Sequence, residues 1–232
     1  MPSVVHARDL CRRFGRRWAY ARVDLDVMAG QRLLLIGANG SGKTTLLRTF
    51  ATLIRPTQGE LRLFGLDPAK DKAAVRRRLG FFSHQIGLYE DLSARDNLSV
   101  FARLSGVSAD RRKMVAALEE VGLEDRPDAI RRFSAGMRRR VALAALLMKQ
   151  PELTLLDEPF SALDPSGISQ VAEIIRGLPG TVIVVSHQIE QAAALCERAV
   201  LLQSGVMRWS GPARQAWGAW RASQQIRPGA VG

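Results

Sequence analysis

A run of eight residues, Gly37-Ala38-Asn39-Gly40-Ser41-Gly42-Lys43-Thr44, fits the pattern G-x-x-x-x-G-K-[ST]. Glycines allow backbone N–H groups to turn inward around a phosphate, and the start of a following helix adds partial positive charge. In this pattern the lysine bridges the β- and γ-phosphates, and the hydroxyl at the last position holds Mg²⁺. The run therefore predicts a nucleotide phosphate site, formed by Gly37, Asn39, Gly40, Ser41, Gly42, Lys43, Thr44 and Thr45.

Two acids follow an apolar segment later in the chain, where Leu153-Thr154-Leu155-Leu156 leads into Asp157-Glu158. A carboxylate at a strand tip beside a phosphate site can bind Mg²⁺ directly or through water, and we assign this role to Asp157. Glu158 is placed to polarise an attacking water. An apolar strand that ends in Asp-Glu can also be a simple entry to a loop, so the catalytic interpretation depends on the phosphate site.

The elements that must position these residues alternate between strand and helix, which is typical of an α/β fold with a largely parallel sheet. Strands are predicted at residues 23–28, 32–36, 79–83, 153–156 and 181–185, followed by a hairpin of 200–202 and 206–209. Helices are predicted at residues 43–54, 95–104, 111–121 and 137–148. The pattern from about 92 to 150 is mostly helical, so we expect a strand-rich core that carries a helical lobe.

Charge and composition narrow the class of partner. The 232 residues include 34 Lys and Arg against 22 Asp and Glu, a net charge of +12, which implies a nucleotide, a nucleic acid or an acidic membrane face as partner. Cys11 and Cys196 are too few for a disulfide framework, which fits a reducing compartment. The longest apolar run falls far short of the roughly 20 residues that a bilayer needs, and the N-terminus has no secretory pattern. We therefore expect the protein to stay in the compartment where it is made.

Basic residues recur in clusters, and three interpretations stay open for them. They can be solvated faces, they can attract an anionic inner leaflet, or those after residue 134 can brace their own helix. The clusters are Arg12-Arg13 with Arg16-Arg17, Arg76-Arg77-Arg78, Arg111-Arg112-Lys113, Arg131-Arg132 and Arg138-Arg139-Arg140.

The ordered set of motifs resembles the ATPase subunit of ATP-binding cassette (ABC) transporters over nearly the whole chain. The segment Phe133-Ser134-Ala135-Gly136-Met137 is similar to the LSGGQ signature of that family, with departures at Phe133, Ala135 and Met137. The resemblance implies that Ser134 and Gly136 contact the γ-phosphate held by an opposite subunit. Read alone, the segment is an ordinary helix start, in which Ser134 caps a helix that begins near Met137.

Four further positions match the family. The resemblance implies that Gln85 senses Mg²⁺ and communicates with a membrane partner, that Asp164 in Ser161-Ala162-Leu163-Asp164 faces the other subunit, and that His187 contacts the γ-phosphate. Phe14 stands where the family stacks an aromatic ring on adenine. Trp18 and Tyr20 lie nearby, and Phe14 as a simple core residue is an equal alternative.

The resemblance implies one domain over residues 1–232 with the fold of a P-loop NTPase. Its RecA-like core with a β-rich edge would span 1–86 and 151–222, and its inserted α-helical lobe 87–150. The polar, Pro- and Gly-containing end of the chain separately predicts a disordered tail at 223–232. The resemblance further implies a head-to-tail homodimer with two ATP molecules and Mg²⁺ between the subunits. A separate transmembrane permease would hold the dimer at the cytoplasmic face of the inner membrane. We expect no nucleic acid partner, because no long coiled-coil segment and no second cassette is present.

A finer resemblance concerns the transported cargo. The stretches Gly80-Phe81-Phe82-Ser83-His84-Gln85 and Leu88-Tyr89-Glu90-Asp91-Leu92-Ser93 are similar to the heme-exporter ATPase of cytochrome c maturation. Similar sequence motifs occur in the ATPases of drug and polysaccharide exporters. The alternative interpretation is therefore that the chain is the ATPase of an exporter of that kind. A soluble nucleic-acid ATPase and a non-catalytic nucleotide-binding regulator are the rival classes. We expect His84 to be a structural or exposed residue rather than a heme ligand.

Overall fold

A computed structural model describes residues 2–83 and 87–225 of the chain. Its helices and strands alternate after an N-terminal hairpin, as the hydrophobic pattern predicts. The strands are β1 (Ser3–Phe14), β2 (Arg17–Met28), β3 (Arg32–Ile36), β4 (Gln58–Leu63), β5 (Leu79–Phe82), β6 (Leu153–Asp157), β7 (Thr181–Val185), β8 (Arg198–Gln203) and β9 (Val206–Pro212). The helices are α1 (Lys43–Phe50), α2 (Lys72–Arg78), α3 (Ala94–Ser105), α4 (Arg111–Glu120), α5 (Ala135–Lys149), α6 (Pro165–Gly177), α7 (Ile189–Ala193) and α8 (Ala216–Gln225).

Within the described residues the strands form two sheets. One is antiparallel, with the order β2-β1-β4, and the other has the order β5-β6-β7-β3-β8-β9. The second sheet is parallel except for its edge strand β9. Because parallel strands all point the same way, the carboxyl ends of β3, β6 and β7 meet at one edge of this sheet. That edge is where ligands bind in open α/β folds.

The central strands are buried on both faces, which explains their continuous apolar sequences. Alternate residues point to opposite sides, so Leu34 and Ile36 of β3 join one hydrophobic cluster, while Leu33 and Leu35 join the other. The first cluster extends without a break into α3, α4 and α5, and the second is closed by α1 and the antiparallel sheet. The helical lobe therefore shares its core with the parallel sheet.

The structure confirms the predicted α/β class and corrects several boundaries. The late hairpin is present as β8 and β9, with positive φ at both Ser204 and Gly205 in its turn. The helix predicted at 43–54 ends four residues early, since Thr52 takes a left-handed conformation and the N–H groups of Leu53 and Ile54 both return to the Arg48 carbonyl. The strand predicted at 23–28 is the second half of a longer β2.

Among the described residues, no helix is both long enough and apolar enough to cross a bilayer. The prediction of a disordered tail at 223–232 is only partly addressed, because residues 226–232 lie outside the described part. Residues 223–225 belong to α8 and do not follow that prediction.

Candidate nucleotide site

The loop between β3 and α1 lies at the carboxyl edge of the parallel sheet. Its glycines are required by close packing: a Cβ at Gly42 would stand 2.2 Å from the carbonyl oxygen of Ala19, and one at Gly37 would stand 2.2 Å from that of Leu202. Gly42, the residue before α1, also has a φ of 101°, which L-residues rarely adopt. The loop is therefore held between β2 and β8, with the start of α1 aimed at the edge of the sheet.

Lys43 is the first residue of α1, and only 5% of it is exposed. Its Nζ donates to the carbonyl oxygens of Gly37, at 2.7 Å, and Ala38, at 3.0 Å. Burial lowers the pKa of this amine, and the carboxylates of Glu158 and Asp157 oppose that shift. A buried ammonium that is held mainly by neutral carbonyls is suited to an incoming polyanion.

Thr44 and Asp157 come together from α1 and the end of β6. The Thr44 hydroxyl donates to Oδ1 of Asp157 at 3.0 Å, and Asp157 is almost fully buried. A hydroxyl and a carboxylate are oxygen ligands of the kind that Mg²⁺ takes alongside phosphate oxygens and water. Within residues 2–83 and 87–225 no group of three or more His, Cys, Asp and Glu forms a metal cluster by itself. The residues present thus fit a Mg²⁺ ion that shares its ligands with a phosphate.

Glu158 follows β6 directly and has a left-handed backbone with a φ of 54°. Strain of this kind in a residue other than glycine is concentrated at functional sites. Its N–H donates to the carbonyl of Val185, which fixes the residue beside the end of β7. Burial raises the pKa of the Glu158 carboxyl, and Asp157 raises it further, whereas the backbone hydrogen bond from His187 and the charge of Lys43 oppose the shift.

His187 lies across from Glu158, after the end of β7. Its backbone N–H donates to Oε2 of Glu158 at 3.1 Å. Its Nε2 lies 3.3 Å from Oε1, within ion-pair distance, but this oxygen accepts no hydrogen bond in the described part of the chain. Among the described residues, Oε1 of Glu158 and the buried Oγ of Ser41 are thus polar atoms at the site that lack a hydrogen-bond partner. A water could donate to Oε1 of Glu158, and a phosphate oxygen could accept from the Ser41 hydroxyl.

A cavity of about 330 Å³ opens over the loop and gathers most of the predicted residues. Phe14 and Trp18 close one side of it, next to Arg17 of the N-terminal hairpin. Phe14 is 49% exposed, so the alternative that it is a core residue is wrong, whereas Tyr20 is fully buried. The sequence interpretation did not include Arg17 and Ala19; their place in the hairpin beside Phe14 is the only signal that could have found them. The predicted residues that line the cavity are Phe14, Asn39, Gly40, Gly42, Lys43, Thr44, Thr45, Glu158 and His187.

Ser134, Gly136 and Asp164 do not line this cavity. The Ser134 hydroxyl accepts from the Met137 N–H at 3.2 Å and caps α5, which begins at Ala135 rather than near Met137. Asp164 caps α6 by accepting from the Gly167 N–H. A Cβ at Gly136 would lie 3.4 Å from the Leu163 side chain, so the α5 start and the segment before α6 are neighbours. Ser134 and Asp164 are both exposed.

The predicted Gln85 and the neighbouring His84 lie outside the described residues. Side chains from two of the basic clusters illustrate the alternatives. Arg139 and Arg140 on α5 donate to backbone carbonyls, so the bracing interpretation applies to them. Arg78 forms two hydrogen bonds with Glu152, which is a pairing at the protein surface.

Comparison with known proteins identifies the family of the chain. The family model for ABC transporters matches residues 20–161. The chain is 38% identical over 200 residues to a daunorubicin resistance ATP-binding protein, DrrA3, of Streptomyces coeruleorubidus, covering 84% of this chain and 63% of that relative. It is 31% identical over 210 residues to the bacitracin transport ATP-binding protein BcrA of Bacillus licheniformis, covering 88% and 68%. The chain thus spans less than two thirds of the length of the first relative and slightly more than two thirds of the length of the second.

Solved structures agree with the fold. An ATP-binding subunit of an ABC transporter superposes with a TM-score of 0.82 at 26% identity, covering 98% of this chain and 96% of the other. A dimeric ATP-binding cassette in a post-hydrolysis state, bound to ADP and Pi, superposes with a TM-score of 0.79 at 26% identity, covering 90% and 99%. The heme-exporter interpretation finds no support among these relatives, whose names point instead to drug and antibiotic resistance. The chain belongs to the ABC transporter family and has the fold of its ATP-binding cassettes.

Proposed function

We propose that this chain is the ATPase of an exporter for a drug or antibiotic, and that it powers a separate membrane permease. One observation carries the ATPase part: a single cavity brings Lys43, Thr44, Glu158 and His187 together over a glycine loop. The exporter part is supported by the names of the relatives, which are resistance and antibiotic transport ATP-binding proteins.

In the proposed mechanism, Lys43 binds the β- and γ-phosphates and exchanges its two carbonyl contacts for phosphate oxygens. Thr44 and Asp157 would hold Mg²⁺, which supplies charge neutralisation at the phosphates. Glu158 accepts the proton of the attacking water on Oε1, the oxygen that has no hydrogen bond from the described residues. His187, close to this carboxylate, contacts the γ-phosphate and senses its loss.

A second copy of the chain completes the site in this proposal. Ser134 and Gly136 are carried at the start of α5, outside the cavity that their own subunit forms. A helix start is favourable for an anion, and the γ-phosphate held by a second subunit would be that anion. The dimeric state of a structurally similar cassette supports this arrangement. Asp164, next to the same helix start, would lie in the same interface.

A groove between the parallel sheet and the helical lobe is the proposed docking site for the permease. It has a volume of about 240 Å³ and is lined mostly by apolar side chains from β5, α3, α5 and the segment after residue 86. Tyr89 is 55% exposed and Leu104 is 79% exposed on its rim. Two large exposed apolar side chains on one groove favour a protein partner. Through this contact the cassette would lie at the cytoplasmic face of the membrane.

Reconstitution with the permease tests this function. The purified chain is expected to release phosphate from ATP, and the membrane protein encoded beside it should co-purify and confer resistance to daunorubicin or bacitracin. Leu104→Asp should reduce co-purification by roughly tenfold, because it places a charge in an apolar contact, and should leave ATP binding intact. Met28→Asp is the control, since Met28 is also exposed but does not line the groove. Undiminished co-purification of Leu104→Asp would contradict the docking site, and a chain that does not release phosphate would contradict the ATPase.

The aromatic side of the cavity gives a second test. Phe14→Ala should weaken ATP binding by roughly tenfold, because stacking on a base contributes about 1–3 kcal/mol. Binding of inorganic tripolyphosphate, which has no base, should stay unchanged in the same titration. Trp18→Ala is the matched comparison and should lose less affinity. A larger loss of ATP affinity in Trp18→Ala than in Phe14→Ala would show that adenine stacks on Trp18 instead of Phe14.

A further inference from the structure

Arg139 is a buried cation on the signature helix α5, with 5% of its surface exposed. Its Nε donates to the carbonyl oxygen of Pro159 at 3.2 Å. The ion pairs found in the described residues include one between its neighbour Arg138 and Glu90 but none that involves Arg139. Burial lowers the pKa of this guanidinium. A buried cation without a carboxylate carries a desolvation cost, which its hydrogen bond to the buried Pro159 offsets only in part.

The acceptor of this hydrogen bond is close to the catalytic group. Pro159 follows Glu158, and the short segment they share is held from two further directions. The Glu158 N–H donates to Val185 at the end of β7, and Nε2 of Gln188 donates to the carbonyl of Phe160 at 3.3 Å. Gln188 follows His187 in the chain. Arg139 thus gives the helical lobe a side-chain hydrogen bond to the segment that carries Glu158.

The next residue on the helix makes a different contact. Nη1 of Arg140 donates to the carbonyls of Val121 and Gly122, which follow α4, at 3.1 Å and 2.9 Å. This contact joins two helices of the lobe and does not reach the parallel sheet. Arg139 and Arg140 therefore differ in what they connect, although both are arginines that donate to backbone carbonyls from α5.

We propose that Arg139 is a positioning residue that couples the two ATP sites of the dimer. The inference rests on the proposed function. In a head-to-tail pair, Ser134 at the start of α5 serves the nucleotide of the other subunit, while Glu158 serves the nucleotide of its own. Arg139 joins these two parts inside one subunit. When the start of α5 binds the nucleotide of the other subunit, Arg139 therefore sets the position of the general base Glu158 at its own nucleotide.

Steady-state hydrolysis by the full chain tests this coupling. Arg139→Met should lower kcat by roughly tenfold, as a misplaced catalytic group does, with ATP affinity changed by less than about twofold. The Hill coefficient for ATP should fall toward 1, and Tm should change little, because the removal of a buried charge offsets the loss of one hydrogen bond. Arg139→Lys, which can donate to the same carbonyl, should recover part of kcat. Arg140→Met is the matched control and should lower Tm while it keeps the Hill coefficient of the wild type.

A double-mutant cycle with Glu158→Gln identifies the group through which Arg139 acts. In the Glu158→Gln background, Arg139→Met should cause no further loss of the residual rate. Three outcomes would overturn the inference and leave the proposed function standing. They are an equal loss of rate in both backgrounds, a wild-type Hill coefficient in Arg139→Met, and a loss of kcat that is proportional to a loss of Tm. A wild-type chain that neither binds nor hydrolyses ATP would overturn the proposed function and this inference with it.

Discussion

Glu158→Gln is expected to lower steady-state ATP hydrolysis by roughly a hundredfold or more, since a positioned general base contributes about 10²–10⁴-fold. Glutamine keeps the size of the side chain but cannot accept the proton of the attacking water. ATP binding should persist, because Lys43 and Thr44 are unchanged, and the closed dimer should live longer. Phosphate release and size-exclusion chromatography with ATP measure the two effects.

The control for this variant is Glu190→Gln, an exposed carboxyl in the first turn of α7 that does not line the cavity. It should hydrolyse ATP at the wild-type rate. Turnover by Glu158→Gln at the wild-type rate would remove the base assignment.

The raised pKa of Glu158 adds a pH dependence with a definite sign. Burial and Asp157 raise this pKa above the ordinary value of 4.5, against the opposing effects of His187 and Lys43. The base therefore becomes protonated at a pH above 4.5, and the acid limb of kcat should lie there. The folded protein also binds this proton more tightly than the unfolded chain does. The contribution of the protonated Glu158 carboxyl to stability is therefore present at low pH and is lost as pH rises through the pKa of the folded state. Glu158→Gln should thus raise Tm near pH 8, with no gain near pH 4.

Lys43→Ala is expected to reduce ATP affinity by roughly ten- to a hundredfold, since a hydrogen bond to a charged group contributes about 1.5–3 kcal/mol. Turnover should be lost with it. Titration with a fluorescent ATP analogue measures the affinity, and phosphate release measures the turnover.

Lys149→Ala is a closely matched control for this change. Its Nζ also donates to two backbone carbonyls, those of Arg76 and Leu79, and burial also lowers its pKa, but it does not line the nucleotide cavity. Lys149→Ala should lower Tm, because two hydrogen bonds to backbone carbonyls are lost, and should leave ATP affinity unchanged. Unchanged ATP affinity in Lys43→Ala would refute the phosphate site.

The parts of the fold that the sequence predicted well are those with simple patterns. Strands β3, β6 and β7 are continuous apolar runs because both of their faces are buried, and that pattern is easily recognised. Strand β1 was missed, since charged residues interrupt it and Asp9 takes a positive φ at an irregularity in its pairing with β2. Strand β4 was missed because Gln58–Leu63 is short and mostly polar.

The site shows the same division between local and long-range information. The loop before Lys43 and the acids after β6 follow from local motifs, and strand-end placement brings them together. The hydrogen bond from Arg139 to Pro159 joins a helix and a loop from different parts of the fold, and no periodicity in either segment indicates it. The strained backbone of Glu158 likewise depends on the end of β7, which the local sequence does not contain.

The continuous apolar cluster has a consequence for engineering. Leu34 and Ile36 of the sheet lie in the same cluster as Leu143 and Leu146 of α5, so the lobe has no separate interior. Excision of residues 87–150 would expose to water the apolar surface that the two fragments now bury against each other. Chimaeras that take this lobe from another transporter should therefore also take the sheet residues beneath it, since the unit of exchange is larger than the visible insertion.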